Sequence, residues 1–187
     1  MMSIGKQIPS IELEAFYNNG IKKINLSDYK GKWLVMLFYP ADFTFICPTE
    51  LAEAADHYEE FINLGAELVS ISKDTVFVHK AWHDDSQVIR KIKFPMLADP
   101  TGNLCRLFGT YIEEEGVSLR ATFIIDPESI VKAMEMHDNS IGRNITEILR
   151  KLQAAKFVSE HKGLVCPASW RPGQKTLKPG LELVGKI

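Results

Sequence analysis

Residues 33–50 read Trp33-Leu34-Val35-Met36-Leu37-Phe38-Tyr39-Pro40-Ala41-Asp42-Phe43-Thr44-Phe45-Ile46-Cys47-Pro48-Thr49-Glu50. The run Trp33–Tyr39 is apolar or aromatic, carries no charge and lies between Gly31 and Pro40. That pattern reads as a buried strand. A few residues later a cysteine stands where a helical pattern begins. Helix N-termini present unpaired N–H groups and a partial positive charge, and both favour a thiolate over a thiol. Cys47 is therefore the candidate nucleophile. Two registers are open: Thr44 as N-cap with Cys47 at the third helical position, or Cys47 itself as the cap with Pro48 at the first. A helix start alone acts modestly on a thiol, and a strong effect needs a cation. Arg120 is the candidate because it interrupts the apolar run Leu119–Ile125, where an arginine is costly unless paired. Blander readings stand beside these. A lone cysteine is commonly a small buried hydrophobe, and a strand arginine commonly guards a sheet edge.

Working outward, Ile11–Phe16 and Ile21–Leu26 flank Asn18-Asn19-Gly20, a hairpin signal in which Asn-Gly supplies positive φ. Helical spacing runs from Thr49 to Asn63, with Leu51, Ala54, Ala55, Tyr58 and Ile62 on one face and Gly65 as the stop. Ala66–Ser72 reads as a second buried strand, and Asp74 or Thr75 as the cap of a helix reaching Asp85. Phe94–Ala98 is extended, residues 99–102 form a turn, and Asn103–Phe108 a short helix. Thr110–Glu113 and Ser118–Asp126 read as strands either side of Gly116, followed by Ile130–Met136. An amphipathic helix spans Asn144 to Glu160 with Ile145, Ile148, Leu149, Leu152, Ala155 and Phe157 inward. Beyond Gly163, prolines and glycines at 167, 172, 173, 179, 180 and 185 indicate an extended tail. Alternating strands and helices with a late hairpin make an α/β fold with a central mixed sheet, flanking helices, an N-terminal hairpin and an extended C-terminal tail.

At 187 residues, 45% hydrophobic and 25% charged, the chain fits a single globular domain. A net charge of −2 without a long basic run argues against nucleic-acid partners. No apolar run is long enough to span a bilayer. Lys6, Pro9, Glu12 and Glu14 break up any apolar leader core, so the cytoplasm is the expected location. The three cysteines, Cys47, Cys105 and Cys166, contain no C-x-x-C pair. That disfavours a secreted disulfide framework, a thioredoxin-type redox motif and a zinc ribbon.

The segment Phe38–Glu50 resembles the peroxiredoxin active-site motif, Pro-x-x-x-Thr/Ser-x-x-Cys. Further stretches resemble typical two-cysteine peroxiredoxins of the bacterial alkyl hydroperoxide reductase small-subunit type. These are Ala55–Glu60, His79–His83, Asp99–Gly102, Arg120–Phe123, Gly163–Ala168 and Leu183–Ile187, so the likeness covers essentially the whole chain. It implies a thioredoxin-like fold with peroxiredoxin additions: residues 1–160 as the AhpC/TSA-type domain, and 161–187 as the resolving-cysteine tail of that domain. It implies a thiol peroxidase acting on hydrogen peroxide and organic hydroperoxides. Cys47 would be peroxidatic and Cys166 resolving, through an intersubunit disulfide. Thr44 would bond the thiolate and a peroxide oxygen, Arg120 would stabilise developing charge, Pro40 would shield the sulfur, and Glu50 would hold Arg120. The implied partners are a flavoprotein or thioredoxin-like disulfide reductase and a homodimer assembling to a decamer, with contacts near Asp74–Phe77 and Phe43. No metal or organic cofactor is implied.

Other residues read as structural. Cys105 belongs to core packing. His79 and His83, four apart, lack a third metal ligand. Trp170 is placed to anchor the tail, and Glu113–Glu115 form a solvated loop. The chain lacks the Gly-Gly-Leu-Gly insertion and Tyr-Phe ending of overoxidation-prone relatives, which implies resistance to sulfinic inactivation. A redox sensor or chaperone-like switch using the same cysteine pair is the competing reading. A cysteine hydrolase is a weaker one, because no histidine is clearly placed as its base.

Overall fold

The computed structural model describes residues 1–186, so the last residue of the stretch Leu183–Ile187 lies outside it. Two compact units divide the chain, Met1–Ile145 and Thr146 onward. The first is built on a seven-stranded mixed sheet of order β2-β1-β5-β4-β3-β8-β9. The strands are β1 Glu12–Tyr17, β2 Gly20–Asn25, β3 Trp33–Phe38, β4 Ala66–Ser72, β5 Met96–Ala98, β8 Arg120–Ile125 and β9 Val131–His137. β6 Tyr111–Ile112 and β7 Val117–Ser118 form a separate small ribbon. The helices of this unit are α1 Cys47–Asp56, α2 Tyr58–Asn63, α3 Val76–Asp85 and α4 Asn103–Phe108.

β3 runs parallel to β4 and antiparallel to β8. All six of its residues are buried, as the uninterrupted apolar run requires of a strand covered on both faces. Leu34, Met36 and Phe38 point to one face and pack with Val69, Ile71, Phe123 and the α4 residues Leu104 and Phe108. The rings of Phe38, Phe108 and Phe123 meet pairwise with centroids 4.8–5.6 Å apart. The chain leaves β3 at its C-terminal end, beside the end of parallel β4. In open sheets, sites assemble at that edge.

Several expected boundaries shift. In the hairpin, Asn18 and Asn19 carry the positive φ angles of 51° and 57°. Gly20 instead begins β2 opposite Tyr17, so the turn is Asn-Asn. The expected helix 49–63 breaks at His57, where φ −96° and ψ 5° end α1. Glu60 N–H then bonds the His57 carbonyl at i−3 spacing. That turn rotates the following face: Phe61 is buried, while Ile62, expected inward, is exposed. Thr75 is the N-cap residue of α3 but makes no side-chain cap bond. Asp74 instead accepts from the Asp42 N–H and the Ser72 hydroxyl. The run 118–126 divides at Leu119, whose N–H bonds Thr110, so Ser118 closes the small ribbon and Arg120 opens β8.

The second unit carries most of α5, Ile145–Glu160. Ile145, Ile148, Leu149 and Leu152 are buried as expected, and Ala155 and Phe157 are half-buried. Beyond α5, Trp170 does anchor the tail. It is buried, its ring lies 4.9 Å from that of Phe157, its Nε1 donates to the Gln174 carbonyl, and its own carbonyl accepts from Arg150. The tail's paired backbone is the bridge between Val165 and Leu177, and Leu181–Leu183 make one 3-10 turn. Among the described residues, no helix is long and apolar enough to cross a membrane.

Candidate active site

Cys47 is the first residue of α1, with Pro48 next and Ile46 as the N-cap residue. Both sequence registers are therefore off, by two positions for the first and by one for the second. Thr44 does not cap the helix: its hydroxyl donates to the Ala41 carbonyl at 2.8 Å within the loop. The sulfur still lies in the first turn, where orphan N–H groups gather. Cys47 and Pro40 are buried, and Thr44 is half-buried. The loop between them is tense and apolar outward. Phe43 adopts φ 54°, a left-handed conformation that costs a bulky residue on the order of 1–3 kcal/mol. Phe43 and Phe45 are both exposed, as is Phe77 in α3.

Arg120 reaches the sulfur from β8, the antiparallel sheet neighbour of β3. Its Nη1 donates to Cys47 Sγ at 3.3 Å and to Glu50 Oε2 at 2.8 Å. Its Nε donates to the Asn139 carbonyl at 3.0 Å. The arginine in an apolar strand is thus paired, and it is a buried inward group rather than an edge guard. Glu50 sits one helical turn after Cys47, so both side chains project from the same end of α1.

Arg143, which the sequence reading did not single out, completes the cluster. Its side chain is fully buried and bonds both oxygens of Glu50, while its Nη1 donates to the Ala121 carbonyl. Burial pushes the Glu50 carboxyl up, but the Arg143 hydrogen bonds and charge, with Arg120 adding to them, overcome it and hold it below the usual range. A sequence signal for Arg143 existed only in retrospect: an arginine following Gly142, in a loop leading into a helix. A Cβ on Gly142 would stand in ordinary contact, 3.4 Å from Ile46 Cγ2, so the loop lies against the start of α1.

The sequence profile of the AhpC/TSA family matches residues 4–134. That of the C-terminal domain of 1-Cys peroxiredoxin matches residues 154–184. The chain is 49% identical over 187 residues, the whole of both proteins, to alkyl hydroperoxide reductase C of Salmonella typhimurium and of Escherichia coli K12. The chain belongs to the AhpC/TSA family of peroxiredoxins. It is also 47% identical over 191 residues to a selenocysteine-containing peroxiredoxin of Peptoclostridium acidaminophilum, covering the whole chain and 94% of that protein. Among solved structures, reduced Plasmodium vivax 2-Cys peroxiredoxin superposes with a TM-score of 0.91 at 33% identity, over 96% of this chain and 94% of that one. Enterococcus faecalis AhpC gives 0.87 at 45% identity, over 89% and 100%. The mixed sheet with its flanking helices is accordingly the thioredoxin-like fold of peroxiredoxins.

Beside the Cys47 cluster lies a second buried polar chain. Tyr39 Oη donates to Asp42 Oδ1 at 2.7 Å, and Asp42 Oδ2 meets His79 Nδ1 at 2.7 Å. Burial raises the Asp42 carboxyl, opposed by its bonds to His79 and Tyr39. His79 is therefore a strut between α3 and the loop before Cys47. Among the described residues no cluster of metal-ligating side chains occurs. Cys105 is buried core, as expected. Glu113 departs from a purely solvated role and forks onto Arg106 at 2.6 and 2.9 Å. In the second unit, Cys166 is half-buried with Sγ 4.0 Å from the Ala154 carbonyl, and burial raises its thiol against the opposing charge of Arg150.

Proposed function

We propose that this peroxiredoxin reduces hydrogen peroxide and small organic hydroperoxides through Cys47 and Cys166. One observation carries the reading. Two buried arginines, Arg120 and Arg143, face one buried carboxylate, Glu50, and the surplus positive charge lies 3.3 Å from Cys47 Sγ. An anionic sulfur completes that balance, because an unpaired charge in a buried cluster is costly.

The Cys47 thiolate attacks the terminal peroxide oxygen. The S–O bond forms as the O–O bond breaks, and the leaving oxygen departs as alkoxide or hydroxide and takes up a proton. Arg120 donates toward the charge developing on that oxygen. Thr44 has its hydroxyl proton on Ala41, so its oxygen is disposed to accept from the peroxide O–H. Pro40 shields the sulfur. The resulting Cys47 sulfenic acid condenses with the Cys166 thiol of a second subunit, forming a disulfide and releasing water. In this scheme residues 161–187 act as the resolving tail of the domain formed by residues 1–160. A dithiol reductase, flavoprotein-linked or thioredoxin-like, then returns both thiols. The exposed Phe43, Phe45 and Phe77 suit burial between dimers of a decameric ring.

Non-reducing electrophoresis after one equivalent of hydrogen peroxide tests the scheme. A disulfide-linked dimer is expected, lost in both Cys47→Ser and Cys166→Ser. Cys166→Ser should still consume one equivalent of peroxide but lose reductase-coupled turnover. Full turnover in that variant would refute the two-cysteine cycle. A single oxidation without turnover in the unaltered protein would favour the redox-sensor reading instead.

A further inference from the structure

Arg120 is held from a second direction, by a residue no motif points to. β8 and β9 pair as far as Arg120 and His137, after which the chain turns over residues 138–141, with the Ile141 N–H bonding the Asp138 carbonyl. Asn139 sits in that turn and meets Arg120 twice. Its side-chain Oδ1 accepts the Arg120 backbone N–H at 3.1 Å, and its backbone carbonyl accepts Arg120 Nε at 3.0 Å. Its Nδ2 donates to the Ser118 carbonyl at 3.3 Å. The side-chain amide therefore spans Leu119 and continues the hydrogen bonding of β8 past the end of the ladder, as a neighbouring peptide unit would. That attachment fixes the turn, and the fixed turn presents the carbonyl that orients the guanidinium.

We propose that Asn139 is a positioning residue for the peroxide step, setting the direction from which Arg120 addresses Cys47. A guanidinium is planar and rigid, so two held nitrogens define its plane. Asn139 holds Nε, Glu50 pulls on Nη1, and the sulfur receives the same Nη1. Without the Asn139 side chain, the turn is no longer tied to Ser118 and Arg120. The guanidinium can then swing toward Glu50 alone, and a small displacement of a charge-assisted donor forfeits much of its effect. The loop 138–143 thus serves the site at both ends, through Asn139 on Arg120 and through Arg143 on Glu50.

The inference rests on the role given above to Arg120, so the experiment separates the two. Asn139→Leu, Asn139→Asp and Arg120→Ala are compared in the full-length protein. The readouts are the second-order rate constant for hydrogen peroxide, the pH profile of Cys47 alkylation by iodoacetamide, and thermal unfolding. Asn139→Leu keeps the shape without the hydrogen bonds. It should slow the peroxide reaction roughly ten-fold, about the worth of one hydrogen bond to a charged group, and shift the alkylation profile to higher pH. Asn139→Asp keeps the acceptor for the Arg120 N–H but sets a carboxylate oxygen against the Ser118 carbonyl, so it should recover only part of the rate lost in Asn139→Leu. A packing role alone would lower the melting temperature and leave the alkylation profile in place. An unchanged rate in Asn139→Leu, or a slowed rate with an unmoved alkylation profile, overturns the inference. If Arg120→Ala itself retains the full rate, the role of Arg120 is wrong and that of Asn139 falls with it.

Discussion

Glu50 and Arg143 are joined by three hydrogen bonds: the Arg143 backbone N–H and Nε to Oε1 at 2.8 and 3.1 Å, and Nη2 to Oε2 at 2.9 Å. Because Oε2 also accepts from Arg120, the carboxylate joins the helix carrying Cys47 to the strand carrying Arg120 and to the loop after β9. Arg143 satisfies most of the carboxylate's demand, which leaves Arg120 Nη1 able to divide itself between Glu50 and the sulfur.

Removing Arg143 should therefore damage both stability and rate. In Arg143→Met, Glu50 remains buried with Arg120 as its one cation, and breaking a buried pair costs about 3–5 kcal/mol. Arg120 is drawn toward Glu50 and away from Cys47, so the rate constant for peroxide should fall by about ten-fold or more, the worth of one charge-assisted hydrogen bond. Glu50→Gln/Arg143→Met should be less destabilised than the sum of its single variants. Urea unfolding and stopped-flow kinetics on the four proteins of this cycle check the claim, and strict additivity would contradict it.

The sequence announced what depends on local pattern. The charge-free run at 33–39, the short helix Asn103–Phe108 after the turn at 99–102 and the apolar stripe of α5 became elements within a residue or two of expectation, because each carries its own periodicity or punctuation. Cys47 and Arg120, 73 positions apart, were paired as candidates because an arginine in an apolar strand demands a partner. Arg143 and Asn139 stayed hidden for the opposite reason. Each sits in a polar turn where arginine or asparagine is unremarkable, and their importance arises only when the turn after β9 folds onto the start of α1 and β8. The break at His57 was equally silent, since neither proline nor glycine marks it. The hairpin misassignment shows local chemistry tolerating two answers: asparagine is among the few side chains that accept left-handed backbone, and here Asn18 and Asn19 both do.

Acid stability should report on Glu50. Its carboxyl is held below the ordinary value of 4.5 in the folded protein, so the unfolded chain binds the proton more readily. Its contribution is complete above about pH 4.5 and disappears as pH falls through the lower folded value. Glu50→Gln, less stable at neutral pH, should show a shallower loss of stability below about pH 4.5 than the unaltered protein. Parallel acid limbs in the two proteins would show that the carboxylate is not ionised in this cluster.

Cys105 should behave in the opposite sense, at the alkaline end. Burial, reinforced by the nearby charge of Asp99, pushes its thiol from 9.0 up to about 12. A raised folded value means the stabilisation is whole below about pH 9 and is lost as pH rises toward 12, by on the order of 4 kcal/mol across that window. At pH 8 the half-buried Cys166 of the native protein should therefore react with a thiol reagent while Cys105 reacts only after unfolding. Cys105→Ala, which trades a small cavity for loss of the ionisable group, should unfold less steeply between pH 9 and 12. Peptide mapping after native alkylation checks the first expectation and alkaline unfolding curves the second. Rapid native labelling of Cys105 would mean that α4 opens far more readily than its packing against Phe38 and Phe123 allows.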